Sequence, residues 1–592
     1  MKTLHCKLAL WLFLLLLLTT CFSPLDYKGS GDTTLRVSLP GGTAGARTAV
    51  TPEDLRYELH FSGPGGRTVT ATAVYGETVT VNVVPGTWTV SVWAYDSVGI
   101  PKAVGEAYNI DVKAGKENNV PMKMAVYTEV STWAALKNAI DEGGDYDEYV
   151  VVTGPITANS TTTTVASPSN PGRTITLSSK GGPHTVELTV NGSLFTVSAN
   201  TELILKNITL QGRTGNNASL VMVNTNGKLV LHSGGKITGN TTTGNGGGVY
   251  VSGNFTMTSG EISVNNANGT GADAGGGGVY VTAGGTFNMS GGDISGNTTP
   301  FPTAGGGGVL VIDNGTFTMS GGAISGNTSD GGGGVCINGS SAIFNMSGSA
   351  VIGGTTSGST NTANVSGGGG VFINGGSTFI MNGGEISGNS AITGTYIGGG
   401  GVCVNAGTFT MYDGSITGNT ADSDGGGVII GASSTFTMNG GTIGPNNKAN
   451  DGGGGVMIDG IFTMRGSAII HGNTSDIAGG GVHIHYGKFT MEGNARISGN
   501  TTVSSNGGGV YVSNYGNFYM VAGTVYGSAN SAPKPPSGYE NTAPSIGNGP
   551  AMYTSIGTAQ RGTFTGSGGS WVSKGNLSTT DTTIRMVNGE FQ

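Results

Sequence analysis

The side chains that could hold a metal ion are few in this sequence. Asp424 and Asp451 each precede a glycine run, one repeat apart, and stacked carboxylates of this kind are ligands that Ca²⁺ accepts. Aspartate before glycine is also an ordinary turn residue. The two are therefore weak calcium candidates, and we expect no other metal site and no cofactor.

Three histidines lie close together late in the chain. His483 and His485 share one face of a predicted strand, and His471 lies in the preceding corner, so the three imidazoles could bind a transition metal. No carboxylate or thiolate at a clear ligand spacing joins them. The sequence favours solvated histidines over a metal centre.

Acid–base catalysis needs paired carboxylates, or Ca²⁺ with a basic residue that abstracts a proton. Residues 204–527 contain 13 acidic and 8 basic residues, spread thinly. Asp422 and Asp424 form the closest acidic pair, and no lysine or arginine obviously faces them. The pattern favours a protein that is not an enzyme.

A different chemistry is expected at Cys21. Lys2 and Lys7 flank the start of an apolar run over residues 8–18, which is too short for a comfortable bilayer span and typical of a signal peptide. The run ends in Leu-Thr-Thr-Cys, which resembles the lipobox of bacterial lipoproteins, with Thr20 where Gly or Ala is usual. The resemblance implies a signal peptide over residues 1–20, acylation of Cys21 and a tether over residues 21–32. Ordinary secretory cleavage is the alternative.

The composition narrows the class of protein. Glycine supplies 113 of 592 residues, but there are only 19 prolines and no Gly-X-Y period, which excludes collagen. Hydrophobic residues make up 36%, charged residues only 10%, and the net charge is −8. These values exclude charge-driven disorder and argue against nucleic acid as a partner.

One repeat accounts for much of the glycine. A glycine run, Val-x-aliphatic, Phe-x-Met and x-Ile-Ser-Gly-Asn follow one another, as in residues 275–297. A unit this short cannot bury its own apolar face, whereas stacked units can. We therefore predict an all-β fold, a parallel β-helix of about twelve coils. Its strands place Val, Phe, Met and Ile inward, its glycines turn corners, and its recurrent asparagines tolerate left-handed backbone and stack.

The residue between the two inward positions of each valine strand faces outward. We call these ten positions the outer stripe: Tyr250, Tyr280, Leu310, Cys336, Phe372, Cys403, Ile429, Met457, His483 and Tyr511. A contiguous exposed apolar patch marks a binding site, here for a glycan or a protein partner. A covering loop, or β-propensity alone, is the alternative. Cys336 and Cys403 lie two coils apart, too far for a disulfide.

Other segments flank the repeats over residues 204–527. Residues 33–125 show period-two alternation and the turn signal Pro85-Gly86, and they resemble small β-sandwich modules of the transthyretin-like or immunoglobulin-like kind. Residues 126–203 are predicted to form an N-terminal cap and the first irregular coils, with a helix over 132–140 in which Trp133, Leu136 and Ile140 share a face. Residues 528–592 are predicted to form a C-terminal loop and cap.

The repeat resembles bacterial surface proteins with right-handed parallel β-helix repeats, in the pectate-lyase-like fold group, and the passenger repeats of polymorphic outer-membrane proteins. The resemblance covers residues 126 to 592 and implies the handedness. We expect a lipid-anchored, surface-exposed protein of the bacterial outer membrane that acts in adhesion or in binding an extracellular glycan or a host or matrix protein. A polysaccharide lyase or hydrolase, and a structural spacer, are the alternatives.

Overall fold

The computed structural model describes residues 33–39, 54–141, 146–160, 163–165, 172–271, 273–300, 305–392, 398–513 and 515–528, and shorter pieces between 536 and 591. The predicted signal peptide, Cys21 and the tether lie outside the described residues, as does most of the loop from Pro533 to Pro550. The chain divides into two compact units, Met1–Val126 and Tyr127–Gln592.

The first unit is a small sheet domain with its own apolar core. Thr34–Ser38 pairs with Thr78–Asn82 and Glu117–Pro121, and an antiparallel sheet contains Arg56–Gly63, Arg67–Ala73, Gly86–Tyr95 and Pro101–Val112, with a 3-10 turn at Pro64–Gly66. Period-two alternation sends Leu59, Trp88 and Val90 into the core. A separate N-terminal sheet domain is thus confirmed.

The second unit is a parallel β-solenoid of about 13 turns, close to the twelve predicted. A strand, Ala125–Val130, leads into its helix, Trp133–Asp141. Thr132 caps this helix, because its Oγ1 accepts a hydrogen bond from the Ala135 amide at 3.2 Å. Trp133, Leu136 and Ile140 are buried in the solenoid core, as predicted, so the helix closes the first coils.

Each regular coil contributes strands to three parallel ladders. The valine strands are Thr163–Val165, Phe195–Val197, Val221–Val223, Val249–Val251, Val279–Val281, Val309–Ile312, Val335–Asn338, Val371–Ile373, Val402–Val404, Val428–Ile430, Val456–Ile458, Val482–Ile484, Val510–Val512 and Met552–Thr554. The phenylalanine strands are Glu148–Val152, Arg173–Ser179, Thr201–Leu205, Lys228–Leu231, Asn254–Met257, Thr286–Met289, Thr316–Met319, Ile343–Met346, Ser377–Ser387, Gly407–Thr417, Thr435–Met438, Ile461–Met464, Lys488–Met491, Asn517–Met520 and Thr558–Phe564.

The isoleucine strands follow after a turn, and in two coils they continue the phenylalanine strand. They are Ile156–Ala158, His184–Leu188, Ile208–Gln211, Lys236–Thr238, Glu261–Ser263, Asp293–Ser295, Ala323–Ser325, Val351–Gly353, Thr442–Ile443, Ile469–His471, Arg496–Ser498 and Gly523–Val525. Antiparallel strands Trp571–Asn576, Ile584–Val587 and Glu590–Phe591 join the last coils, so strands do lie where the C-terminal cap was predicted.

Short corner strands complete the coils. They are Thr241–Thr242, Asn266–Ala267, Thr298–Thr299, Thr328–Ser329, Thr362–Ala363, Ser390–Ala391, Thr420–Ala421, Lys448–Ala449, Thr474–Ser475 and Thr501–Thr502, with a further pair at Gly367–Gly368 and Gly398–Gly399.

The core is built from stacked identical side chains. The phenylalanines from Phe255 to Phe518 form an unbroken column whose neighbouring ring centroids lie 4.4 to 5.0 Å apart. This spacing follows from strands about 4.8 Å apart in register. The inward placement of Val, Phe, Met and Ile is confirmed.

A buried asparagine ladder runs beside this core. From Asn265 onward, Nδ2 of each asparagine donates to Oδ1 of the next coil, through Asn297, Asn327, Asn361, Asn389, Asn419, Asn447, Asn473, Asn500 and Asn541. Asn216 donates to Asn240 in the same way. The predicted stacking is confirmed. The predicted left-handed backbone belongs instead to the preceding glycine, as at Gly296 with φ +63°, because the amide must point inward.

Candidate functional site

The outer stripe is buried over most of its length, so the predicted exposed binding strip is wrong there. Leu310, Cys336 and Cys403 are fully buried, and Tyr280, Phe372, Ile429 and Met457 are only 4% exposed. These seven residues and Ile312 form an apolar cluster that is separate from the central core of the solenoid. Tyr250, His483 and Tyr511, near the two ends, are half-buried.

The glycine runs cover the stripe. A Cβ added at Gly276, Gly332 or Gly425 would lie 2.8 to 3.1 Å from the Cβ of Tyr280, Phe372 or Ile429, respectively. The runs also bond to each other from coil to coil, as where the Gly247 amide donates to Gly276 O at 3.0 Å. Only a residue without a side chain can pass this close to the stripe. The covering loop that sequence reasoning kept as the alternative is therefore the glycine run itself.

Near its C-terminal end the stripe becomes polar. Both ring nitrogens of His483 are shielded from solvent and have no hydrogen-bond partner among the described residues. Burial lowers the pKa of His483 to about 3, and the nearby His485 adds to the effect. The ring packs edge-on against Tyr511 with centroids 4.9 Å apart.

Acidic side chains lie on the neighbouring coils. Burial raises the pKa of Asp424 to about 6, although its Oδ1 accepts a hydrogen bond from the Gly452 amide at 2.8 Å. The charges of Asp451 and Asp459 raise it further. His485 Nδ1 lies 3.1 Å from Asp459 Oδ1 in the preceding coil. The end of the stripe therefore holds a cluster of coupled, titratable side chains.

The same coils carry exposed aromatic side chains, which sequence reasoning missed. Tyr486 and Tyr515 follow the valine strands of consecutive coils, are 56% and 66% exposed, and stack with ring centroids 5.3 Å apart and planes 10° apart. We call this surface the tyrosine corner and define it by Asp459, His485, Tyr486, Lys488, Tyr515 and Tyr519.

Fixed polar groups flank the two rings. The ring of Tyr486 also contacts His485, with centroids 4.0 Å apart. Lys488 Nζ lies 5.0 Å from the centroid of the Tyr519 ring, within cation–π range.

The equivalent corner of earlier coils is small and polar. It reads Asn-Gly-Gly at residues 374–376, Asn-Ala-Gly at 405–407, Gly-Ala-Ser-Ser at 431–434 and Asp-Gly at 459–460. Alignment of the repeats at this corner would have revealed the two tyrosines, because these earlier corners contain no aromatic residue. The aromatic surface thus belongs to the last regular coils.

A second candidate site lies near the start of the solenoid. Lys236, Glu261 and Asp293 begin isoleucine strands of three consecutive coils and pair in register. They line an open groove of about 700 Å³. Strands in register lie about 4.8 Å apart, so the carboxyl groups of Glu261 and Asp293 are neighbours. Sequence reasoning missed this pair because 32 residues separate its members along the chain.

The pKa values of the two carboxyl groups in the groove shift in opposite directions. Burial acts to raise the pKa of Glu261, but hydrogen bonds from Lys236 and Ser263 and the lysine charge hold it below its usual value. Lys236 Nζ lies 2.9 Å from Glu261 Oε1. Burial and then the charge of Glu261 raise the pKa of Asp293. The groove thus brings together two carboxyl groups that perturb each other and a lysine.

Some of the other predicted site residues do come together: His483 and His485 lie with ring centroids 5.9 Å apart, and Asp424 is near enough to Asp451 for their charges to interact. Among the described residues, no group of three His, Cys, Asp or Glu side chains is placed to hold a metal ion. Cys336 and Cys403 are thiols that lie on either side of Phe372 in register, and burial raises the pKa of both. In the part of the chain that is described, no helix is long and apolar enough to cross a bilayer.

Comparison with known proteins adds no relative. No protein-family model, no curated protein and no solved structure matches the chain. Function therefore has to be argued from the sites themselves.

Proposed function

We propose that this protein is a lipid-anchored surface protein of the bacterial outer membrane that acts in adhesion, and that it binds its ligand at the tyrosine corner. The observation that carries the proposal is the exposed pair Tyr486 and Tyr515. Exposed, stacked aromatic side chains beside fixed polar groups are typical of binding surfaces. The buried outer stripe is not part of this surface.

A lipid anchor at the N-terminal end and a binding surface late in the array are compatible with adhesion. In this proposal the lipobox-like segment makes Cys21 the first residue of the mature chain, and the tyrosine corner begins more than 430 residues later, in the last regular coils. Stacked coils are rigid because each bonds to its neighbours throughout. A ligand-binding surface late in such an array lies many coils from its first coil.

The anchor is tested by labelling cells with a palmitate analogue. The wild-type protein should take up the label and stay with membranes, whereas Cys21→Ala should lose both properties. Protease treatment of intact cells then reports surface exposure. Label uptake by Cys21→Ala would refute lipidation at this residue.

Binding is tested with the mature chain against arrays of glycans and matrix proteins. A double variant, Tyr486→Ser with Tyr515→Ser, should lose the ligand that the wild-type chain retains. Tyr412→Ser is the matched control, because Tyr412 is 55% exposed and lies outside the corner. Equal binding by the double variant and the wild-type chain would remove the tyrosine corner from the proposal.

Cleavage of a polysaccharide is the second candidate function, favoured by the groove at Glu261 and Asp293. A carboxylate and a carboxylic acid about 5 Å apart can act as nucleophile and acid in glycoside hydrolysis. Here Glu261 would attack the anomeric carbon as the glycosidic bond breaks, and Asp293 would protonate the leaving oxygen. Water would then hydrolyse the glycosyl–Glu261 ester and return its proton to Asp293. The groove has a lysine beside its carboxylates, since Lys236 Nζ lies 2.9 Å from Glu261 Oε1.

This activity is tested by incubating the mature chain with a panel of polysaccharides and measuring new reducing ends. Glu261→Gln and Asp293→Asn should each lower the rate at least a hundredfold, because each removes one of the two required groups. Asp422→Asn is the control and should leave the rate unchanged. No release from any polysaccharide would leave the binding function alone.

A further inference from the structure

The tyrosine corner is too small for a stable protein interface. A whole aromatic side chain buries about 150 to 250 Å², so two rings that are 56% and 66% exposed offer roughly 250 Å². A specific protein complex needs about 800 Å² on each partner. The neighbouring corners of earlier coils contain mainly Gly, Ser, Asn, Ala and Asp, and Ile461, which pairs with Lys488, adds one half-exposed apolar side chain.

A sugar fits these dimensions. A pyranose ring presents one apolar face, which packs on an aromatic ring, and an edge of hydroxyl groups, which need donors and acceptors at fixed positions. Asp459 and His485 hold each other 3.1 Å apart, and Lys488 is held over Tyr519. Each of these groups is therefore ordered before a ligand arrives, which lowers the cost of binding.

The charge at the corner favours a neutral sugar. The six residues that define it contain one carboxylate, one ammonium group and one imidazole, so they offer no basic patch. The whole chain carries a net charge of −8, which repels polyanions. Sulfated and uronic acid polymers are disfavoured on both grounds.

We infer that the tyrosine corner binds a neutral glycan, with a pyranose ring stacked on Tyr515 and its hydroxyl groups bonded to Asp459 and Lys488. This inference rests on the proposed function and names the ligand class of the same site.

Within the pair, Tyr515 is the platform and Tyr486 its support. Among the described residues, Tyr515 makes a ring contact only with Tyr486, whereas Tyr486 also contacts His485. Tyr515 is the more exposed of the two. Loss of Tyr515 should therefore weaken binding more than loss of Tyr486.

The experiment is a titration of the full mature chain by calorimetry. The probes are neutral gluco-, manno- and galacto-oligosaccharides of four to six units, with heparin as the polyanion and purified matrix proteins as the protein arm. We expect a neutral oligosaccharide to bind, Tyr515→Ser to weaken its binding at least tenfold and Tyr486→Ser three- to tenfold. Tyr515→Phe keeps the ring and should stay within threefold of wild type, and Tyr412→Ser within twofold.

The possible outcomes test the ligand class and the proposed binding function separately. Binding of heparin or of a matrix protein alone, lost in Tyr515→Ser, would overturn the neutral glycan and leave the binding function standing. Neutral glycan binding that survives in both serine variants would overturn the site. Binding of no probe would overturn both the ligand class and the proposed function. Unchanged circular dichroism of each variant shows that the loss is local.

Discussion

The middle of the outer stripe and its C-terminal end occupy the same position of the repeat but have different properties. Phe372, with Cys336 and Cys403 on either side, is dry and tightly covered by glycine. Two to four coils beyond Cys403, the same position holds Met457, His483 and Tyr511, and the imidazole of His485 lies beside that of His483. The backbone is shared, so the side chains alone make the difference.

This difference teaches where such a solenoid can vary. An apolar side chain under a glycine run adds a second core and costs nothing in unpaired polar atoms. A histidine in that place leaves two nitrogens without partners, which costs stability. The late coils therefore give up some stability in the same region where the tyrosine corner exposes its aromatic rings.

The largest effect is expected from breaking the cover over the middle of the stripe. In Gly332→Val the new Cβ would lie 2.7 Å from Val335 O and 3.1 Å from the Cβ of Phe372. We expect a loss of about 3 kcal/mol in the free energy of unfolding, as for a severely overpacked core. Urea unfolding followed by circular dichroism measures it.

The control for this variant is Gly271→Ala. An added Cβ at Gly271 meets no atom within 4 Å, and its backbone needs no positive φ. Its unfolding free energy should stay within about 0.5 kcal/mol of wild type. Similar losses in both variants would show that the cover does not depend on close approach.

An intermediate effect on stability is expected when the polar C-terminal end of the outer stripe is made apolar like its middle. His483→Leu replaces two buried, unpartnered nitrogens by apolar atoms of similar volume. We expect a gain of about 1 kcal/mol in unfolding free energy, since an unsatisfied buried polar group costs about 1 to 3 kcal/mol. His471→Leu, at a half-buried position outside the stripe, should change little. A loss of stability in His483→Leu would mean that the imidazole is partnered.

The smallest effect is expected in the net pH dependence of the wild-type stability, because two neighbouring groups contribute to it with opposite sign. The pKa of His483 is about 3 when folded and 6.5 ordinarily, so the stability present above pH 6.5 is lost as the pH falls toward 3. The pKa of Asp424 is about 6 when folded and 3.8 ordinarily, so the stability present below pH 3.8 is lost as the pH rises through 6.

Unfolding midpoints between pH 4 and pH 7 test this pair. Relative to wild type, the midpoint of His483→Leu should rise as the pH falls, and that of Asp424→Asn should rise as the pH increases. Parallel pH profiles for wild type and both variants would contradict the burial of these groups.

The fold was predictable because the positions of the repeated residues determine which residues of neighbouring coils pair. Ten Phe-x-Met pairs and the recurrent Val place the inward side chains, and glycine marks each close approach. The corner backbone was assigned to the wrong residue, since glycine and asparagine adjoin in the motif and only the structure shows which takes the left-handed conformation.

The candidate sites were much less predictable. Period-two alternation shows that Tyr280 or Phe372 points away from the core, but it cannot show that the glycine run of the same coil folds over it. Glu261 and Asp293 meet only through stacking of coils, and Tyr486 and Tyr515 lie outside the regular motif. The candidate sites are formed by residues of adjacent coils, which lie about 30 residues apart in the sequence. Short sequence motifs do not reveal such pairs.

The asparagine ladder also has a mechanical consequence. Each amide bonds only to the two adjacent coils, donating to a carbonyl of the preceding coil and to the asparagine of the next, so a pull on one end of the array acts first on the bonds of the terminal coil. Under such a pull, coils would peel away singly, and each would release about 90 to 120 Å of chain at roughly 3.4 Å per residue. The solenoid would then lengthen in discrete steps under load, and each step would lower the force on whatever it tethers.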